Sequence, residues 1–132
     1  MDDLQIEFDE HPTFSKEFEK FCKKYQQCSL AYRHLKTLLS IHFHPHNQNN
    51  PQFTLKVLHR LEGIGPNVYA YKVVMNTEGL SQGQAPRICF WIRGNLITFL
   101  CFGSHIDNYK DSELRELVKQ RIQQLESSIV LS

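Results

Sequence analysis

The sequence predicts an α+β domain: a small, mainly antiparallel sheet with an N-terminal two-helix hairpin on one face and a C-terminal helix. Three observations carry that expectation. Apolar residues recur at helical spacing in the first third of the chain, strand-like runs cluster in the second half, and a further helical stripe closes the sequence. Helices gathered at the ends and strands gathered together favour strands paired to each other over alternating βαβ units. With 132 residues and 41% hydrophobic content, the chain supports one core, so residues 1–132 are expected to form a single domain.

In chain order, LQIEF alternates Leu4, Ile6 and Phe8 with polar residues, the period of a half-buried strand. From Thr13 the period lengthens: Phe14, Phe18, Phe21, Cys22 and Tyr25 fall on one stripe of an amphipathic helix, with Thr13 or Ser15 as its cap. A second helix is expected from Ser29, burying Ala31, Leu35, Leu38 and Leu39 and packing as an antiparallel hairpin against the first. HFHPHNQNNPQ has two prolines, three asparagines and no period, and reads as a loop. FTLKVLHRLEGIGP is compatible with a short strand or a helical turn. VYAYKVVM, RICFWI and LITFLCF read as three strands of a meander. The first two are joined by the long polar NTEGLSQGQAP and the last two by the short Gly-containing RGN link of a β-hairpin. A last helix is expected from about Asp111, where Asp111 and Glu113 suit the positive helix N-terminus. Its stripe is Leu114, Leu117, Val118, Ile122, Leu125 and Ile129. This helix is expected at the sheet edge, with Phe14, Phe18, Leu35, Ile88, Phe90 and Leu100 in the core.

Four cysteines, at positions 22, 28, 89 and 101, form no CxxC pair, and MDDLQIEFDE has neither a basic segment nor an apolar signal core. Free thiols in a reducing cytoplasm are therefore expected. No apolar run approaches the roughly 18–20 residues a membrane-spanning helix needs. The net charge of +1, from 15 basic and 14 acidic residues, does not announce a nucleic-acid binder. Its distribution is uneven: five acids lie in the first ten residues, whereas positions 16–72 hold nine Lys or Arg against three Glu. That basic middle favours an anionic partner.

His42, His44 and His46 invite a metal reading, but their spacing in a proline-broken loop fixes no common face, and no Cys or Asp stands nearby to complete a tetrahedral set. No metal and no cofactor are expected. FLCFGSHIDNYKDSELRE is more informative, because an apolar strand ends at Gly103 and releases His105 and Tyr109 just before the last helix. Arg87 opens the neighbouring strand and Lys72 lies on the one before it, so pairing brings these residues towards one end of one sheet. Two cations, an imidazole and a phenol suit phosphodiester chemistry: the cations stabilise the phosphorane charge, and imidazole or phenol moves protons.

These residues, in this order of elements, resemble the RelE/ParE toxin superfamily, especially its RelE-like messenger-RNA endonucleases. FDEHPTFSKEFEKF is similar to the family's first strand and helix, LEGIGPNVYAYKVV to its Leu-x-Gly segment leading into a strand, and PRICFWIRGNLITFLCFGSHIDNYKDSE to its arginine-initiated hairpin and Gly-x-His…Tyr end. The resemblance implies a toxin of a type II toxin–antitoxin system, a metal-independent, ribosome-dependent endoribonuclease in which the RNA 2′-hydroxyl attacks the adjacent phosphate. It implies Lys72 and Arg87 as phosphate-binding cations, His105 as the proton-transferring position and Tyr109 as the C-terminal tyrosine. The implied partners are messenger RNA on the ribosome and a cognate antitoxin encoded nearby, with no membrane and no small-molecule cofactor. Ala70 stands where RelE carries a second strand lysine. The alternatives within the superfamily are a ParE-like inhibitor of DNA gyrase and a catalytically degenerate member that binds an antitoxin.

Overall fold

The computed structural model describes residues 5–25, 27–44, 58–61, 63–65, 67–72, 86–103 and 111–131. Its elements run β1 (Glu7–Glu10), α1 (Pro12–Lys24), α2 (Cys28–His42), β2 (Leu58–Arg60), β3 (Val68–Lys72), β4 (Arg87–Arg93), β5 (Leu96–Gly103) and α3 (Asp111–Leu131). The five strands form one sheet in the order β1-β5-β4-β3-β2. Every pairing is antiparallel except β1 with β5, which is parallel. The α+β class, the mainly antiparallel sheet, the two N-terminal helices and the C-terminal helix are as the sequence predicts.

The sheet separates two cores. On one face α1 supplies Phe14, Phe21 and Tyr25, α2 supplies Cys28, Tyr32, Leu35 and Leu39, and the strands supply Ile88, Phe90, Ile97, Phe99 and Phe102. On the other, Leu114 and Val118 of α3 pack on Val68, Ala70, Cys89, Leu100 and Cys101. The C-terminal helix therefore covers the second face and does not sit at the sheet edge as expected. The reason lies in β5, which is buried at every position from Ile97 to Gly103. A strand apolar on both sides requires cover on both.

Several local expectations shift. Strand β1 begins at Glu7, so that Ile6 precedes it, and Leu4 lies outside the described residues. The ambiguous segment contributes the short β2, which extends the meander by one strand. Helix α2 starts at Cys28, and Phe18 is half-buried against the first core while Phe14, Leu35, Ile88, Phe90 and Leu100 are fully buried. The α1 cap is neither Thr13 nor Ser15 but His11, whose Nδ1 accepts the Thr13 N–H at 3.1 Å, with Pro12 in the first helical turn. With Nδ1 an acceptor, Nε2 carries the proton and donates to Gln124 Oε1 on α3 at 2.9 Å.

The β4–β5 turn rests on Gly94, whose φ of +62° lies in the left-handed region that a hairpin turn requires. Asn95 ties it to the N-terminal strand by donating from Nδ2 to the Gln5 carbonyl and accepting the Glu7 N–H. Farther along, the register shifts between Cys89 and Phe90, which face Cys101 and Phe99 and leave Leu100 as an extra residue in β5. Leu100 and Cys101 both pack on the α3 side.

Candidate functional site

Beyond Phe99, β1 has ended, and among the described residues β5 runs on without a strand on that side. Its open edge is closed by side chains from both helical layers. Arg121 of α3, 4% exposed, donates from Nη1 to the Leu100 carbonyl at 2.7 Å, and Glu17 of α1 accepts the Phe102 N–H at 3.1 Å. The two side chains also pair with each other, Nη1 to Oε1 at 2.7 Å and Nη2 to Oε2 at 2.9 Å, the bidentate fork that Arg and carboxylate geometry permits. Every group in this cluster has a partner inside the fold, which marks it as structural. The signal was present in the sequence: Arg121 stands on the apolar stripe of α3, and Glu17 follows Phe14 by three positions on the inward side of α1.

The end of the sheet next to this cluster holds the sequence-predicted cations. Lys72, the last residue of β3, pairs directly with Arg87, the first of β4, and Arg87 pairs in turn with Gly103, the last of β5. Directly opposed residues of antiparallel strands project to the same face. Strand alternation assigns that face: Ile88 packs on the α1–α2 core and Cys89 on the α3 core, so Arg87 and its partner Lys72 lie on the α3 side. Both are half-buried.

The charge of this end is felt by the buried thiol beside it. Burial pushes Cys89 up to about 12, while the cations Arg87, Arg121 and Arg115 each pull the other way. Burial wins, so Cys89 is a neutral packing residue and no nucleophile at ordinary pH. Cys101, its cross-strand partner, is raised for the same first reason and accepts a hydrogen bond from Arg121 Nη1 at 3.3 Å.

The structure thus brings Lys72 and Arg87 together and adjoins them to the point where β5 ends. His105 and Tyr109 lie outside the described residues. Trp91 is half-buried against the second core, with the Arg93 guanidinium stacked 4.2 Å from its ring centroid. Arg93 also donates to Thr98 Oγ1 at 3.1 Å. Ala70 is buried beneath α3 at 1% exposure, a place where a lysine would meet the core. Of the loop histidines, His42 ends α2, His44 follows it and His46 lies outside the described residues. Among the described residues no group of three or more His, Cys, Asp or Glu is placed to hold a metal, and no helix is long and apolar enough to cross a membrane. Comparison of the chain with protein-family models, with curated proteins and with solved structures returns no match.

Proposed function

We propose that the chain is a metal-independent endoribonuclease of the RelE-like toxin type, cleaving messenger RNA on the ribosome. The observation that supports this reading is the direct pairing of Lys72 with Arg87 at the end of the sheet, beside Gly103, from which His105 is two residues distant in the chain. Two adjacent cations on one face suit a phosphodiester, whose non-bridging oxygens gain charge as a fifth oxygen attaches. Arg87 offers a planar fork of donors and Lys72 a compact charge.

In this mechanism the 2′-hydroxyl of the RNA attacks the adjacent phosphorus. One protein group takes the hydroxyl proton, another gives a proton to the leaving 5′-oxygen, and the products are a 2′,3′-cyclic phosphate and a 5′-hydroxyl. His105 is assigned one of those transfers, because an imidazole with an ordinary pKa of about 6.5 exchanges protons near neutrality. Tyr109 is assigned the RNA contact or the second transfer. The nucleophile belongs to the substrate, so the protein supplies positioning, charge and proton transfer.

The test is cleavage of a translated message on purified ribosomes. His105→Gln retains a polar side chain without a titrating group, and its expected loss is about 10²- to 10⁴-fold in rate, with the fold verified by circular dichroism. A folded His105→Gln protein with full activity removes His105 from the mechanism. Absence of cleavage by the wild type, together with arrest of replication on expression, replaces this reading with gyrase inhibition.

A further inference from the structure

The bulge in β5 stands just before the sheet end that carries Lys72 and Arg87. Leu100 is its extra residue, and beyond it Cys101, Phe102 and Gly103 pair in turn with Cys89, Ile88 and Arg87. A bulge interrupts the ladder and bends its strand, so the register beyond it is secure only where the bulge itself is held. Among the described residues no strand reaches this stretch from the β1 side. The Glu17–Arg121 clasp takes that place. Arg121 Nη1 donates to the carbonyl of the bulged Leu100 at 2.7 Å, and Glu17 Oε1 accepts the Phe102 N–H at 3.1 Å. One side chain supplies the donor and the other the acceptor that a neighbouring strand would offer. Their own bidentate pair, at 2.7 and 2.9 Å, fixes each against the other.

We propose that Glu17 and Arg121 are positioning residues for the reaction assigned above: by pinning the bulge at Leu100 they hold Gly103 opposite Arg87, and with it the point from which the chain runs on to His105. The proposal rests on the endoribonuclease reading. Arg121 is 4% exposed and both side chains are engaged inside the fold, so they act through the β5 backbone and not on the RNA. Without the bulge, Cys89 would face Leu100 and Arg87 would face Phe102, a shift of one residue that turns each of them to the opposite side of the sheet.

A second grip acts on the same stretch. The Phe102 ring lies edge-on to Phe14, Phe18 and Phe21 of α1, with centroids at 6.3, 5.7 and 4.7 Å. These rings select Phe102 as the residue that faces α1, whereas the clasp fixes the backbone on either side of Cys101. Two variants separate the clasp's positioning role from its stability. Glu17→Met combined with Arg121→Met replaces the ion pair by unbranched apolar side chains, an exchange that buried pairs commonly tolerate without loss of stability, and it removes both bonds to the β5 backbone. Glu17→Gln does the reverse: it keeps an oxygen for the Phe102 N–H and leaves the Arg121 guanidinium without a carboxylate.

The experiment measures three quantities on the full chain: the urea midpoint, hydrogen exchange of the Phe102 amide by NMR, and kcat and KM for cleavage of a translated message on purified ribosomes. The double variant is expected to keep a wild-type midpoint, to exchange the Phe102 amide about tenfold faster, and to lose about 10- to 10²-fold in kcat with little change in KM. Glu17→Gln is expected to lower the midpoint and to keep kcat within about threefold of wild type, because the bond to Phe102 survives. A folded double variant with wild-type kcat, or with wild-type exchange at Phe102, overturns the proposal, since the α1 rings alone then hold the strand end. So does a folded Glu17→Gln protein that loses kcat by 10-fold or more on the same scale, a result independent of how the double variant folds. Absence of cleavage by the wild type overturns the endoribonuclease reading itself, and the positioning role falls with it.

Discussion

Arg121 carries a guanidinium into an apolar helix face and finds four acceptors there: both oxygens of Glu17, the Leu100 carbonyl and the Cys101 sulfur. Burying two charges costs free energy that their attraction only partly offsets, but removing one partner strands the other. Arg121→Met is therefore expected to lose about 3–5 kcal/mol in urea unfolding. The double variant Glu17→Gln with Arg121→Met should recover part of that loss, because a neutral amide at position 17 still accepts from Phe102 N–H. Equal stability of the single and double variants would show that the charges are not coupled. His11 makes a similar argument with neutral groups. It caps α1 through Nδ1 and reaches α3 through Nε2, so His11→Ala should cost about 1–2 kcal/mol, and His11→Asn, which keeps a capping oxygen, noticeably less. The place of Arg121 on an apolar stripe marks it in the sequence, but neither its partner nor the capping role of His11 is visible there. The cap preference points to Thr13 or Ser15, and a cation on an apolar stripe has no partner until the fold supplies Glu17 from 104 positions away.

At the scale of elements, what was legible followed the strength of the local pattern. LITFLCF and RICFWI, with Gly94 between them, define β4, β5 and their turn, because β-branched and aromatic runs around a two-residue link have few alternatives. The stripes of α1 and α3 named the buried residues Phe14, Phe21, Leu114 and Val118. Periodicity says which side of a helix is buried and nothing about what buries it, and for this reason α3 was expected at an edge. The uninterrupted burial of β5 is the better guide, since an alternating pattern would have left one face to water. Strand β2 has three residues and too few positions to show a period. The two-core arrangement gives a paired prediction. Phe90 contacts the rings of Tyr69, Phe43 and Phe99 under the helix hairpin, and Phe90→Ala should cost about 3–5 kcal/mol. Leu100, on the other face beneath α3, should cost about 2–5 kcal/mol as Leu100→Ala. Wild-type-like melting of either variant would contradict the burial of its face.

For the molecule as a whole, helices on both faces and the Glu17–Arg121 clasp leave the Lys72–Arg87–Gly103 row at one end of the sheet. That these residues meet depends on register: a slip of one residue across the 73–86 connection would turn Lys72 or Arg87 to the opposite face. The sequence placed Arg87 at the start of its strand and Lys72 within the strand before it but contained no turn signal tight enough to fix that register, and the pairing of Ala70 with Cys89 beneath α3 is what sets it. On the proposed mechanism both cations bear on the phosphate, one as a fork and one as a point charge. Arg87→Gln and Lys72→Met should each slow cleavage by about 10²- to 10³-fold, the scale for removal of one preorganised donor from a developing oxyanion. Arg87→Lys should recover only part of the rate, since a lysine keeps the charge and loses the bidentate geometry. The double variant should be less impaired than the product of the two single effects, because two donors on one phosphate act as a unit. Ribosome-bound cleavage rates, set beside unfolding midpoints for each variant, separate chemistry from stability. Full additivity would mean that Lys72 and Arg87 contact different groups of the RNA, and wild-type rates in a folded Arg87→Gln protein would take the sheet end out of the reaction altogether.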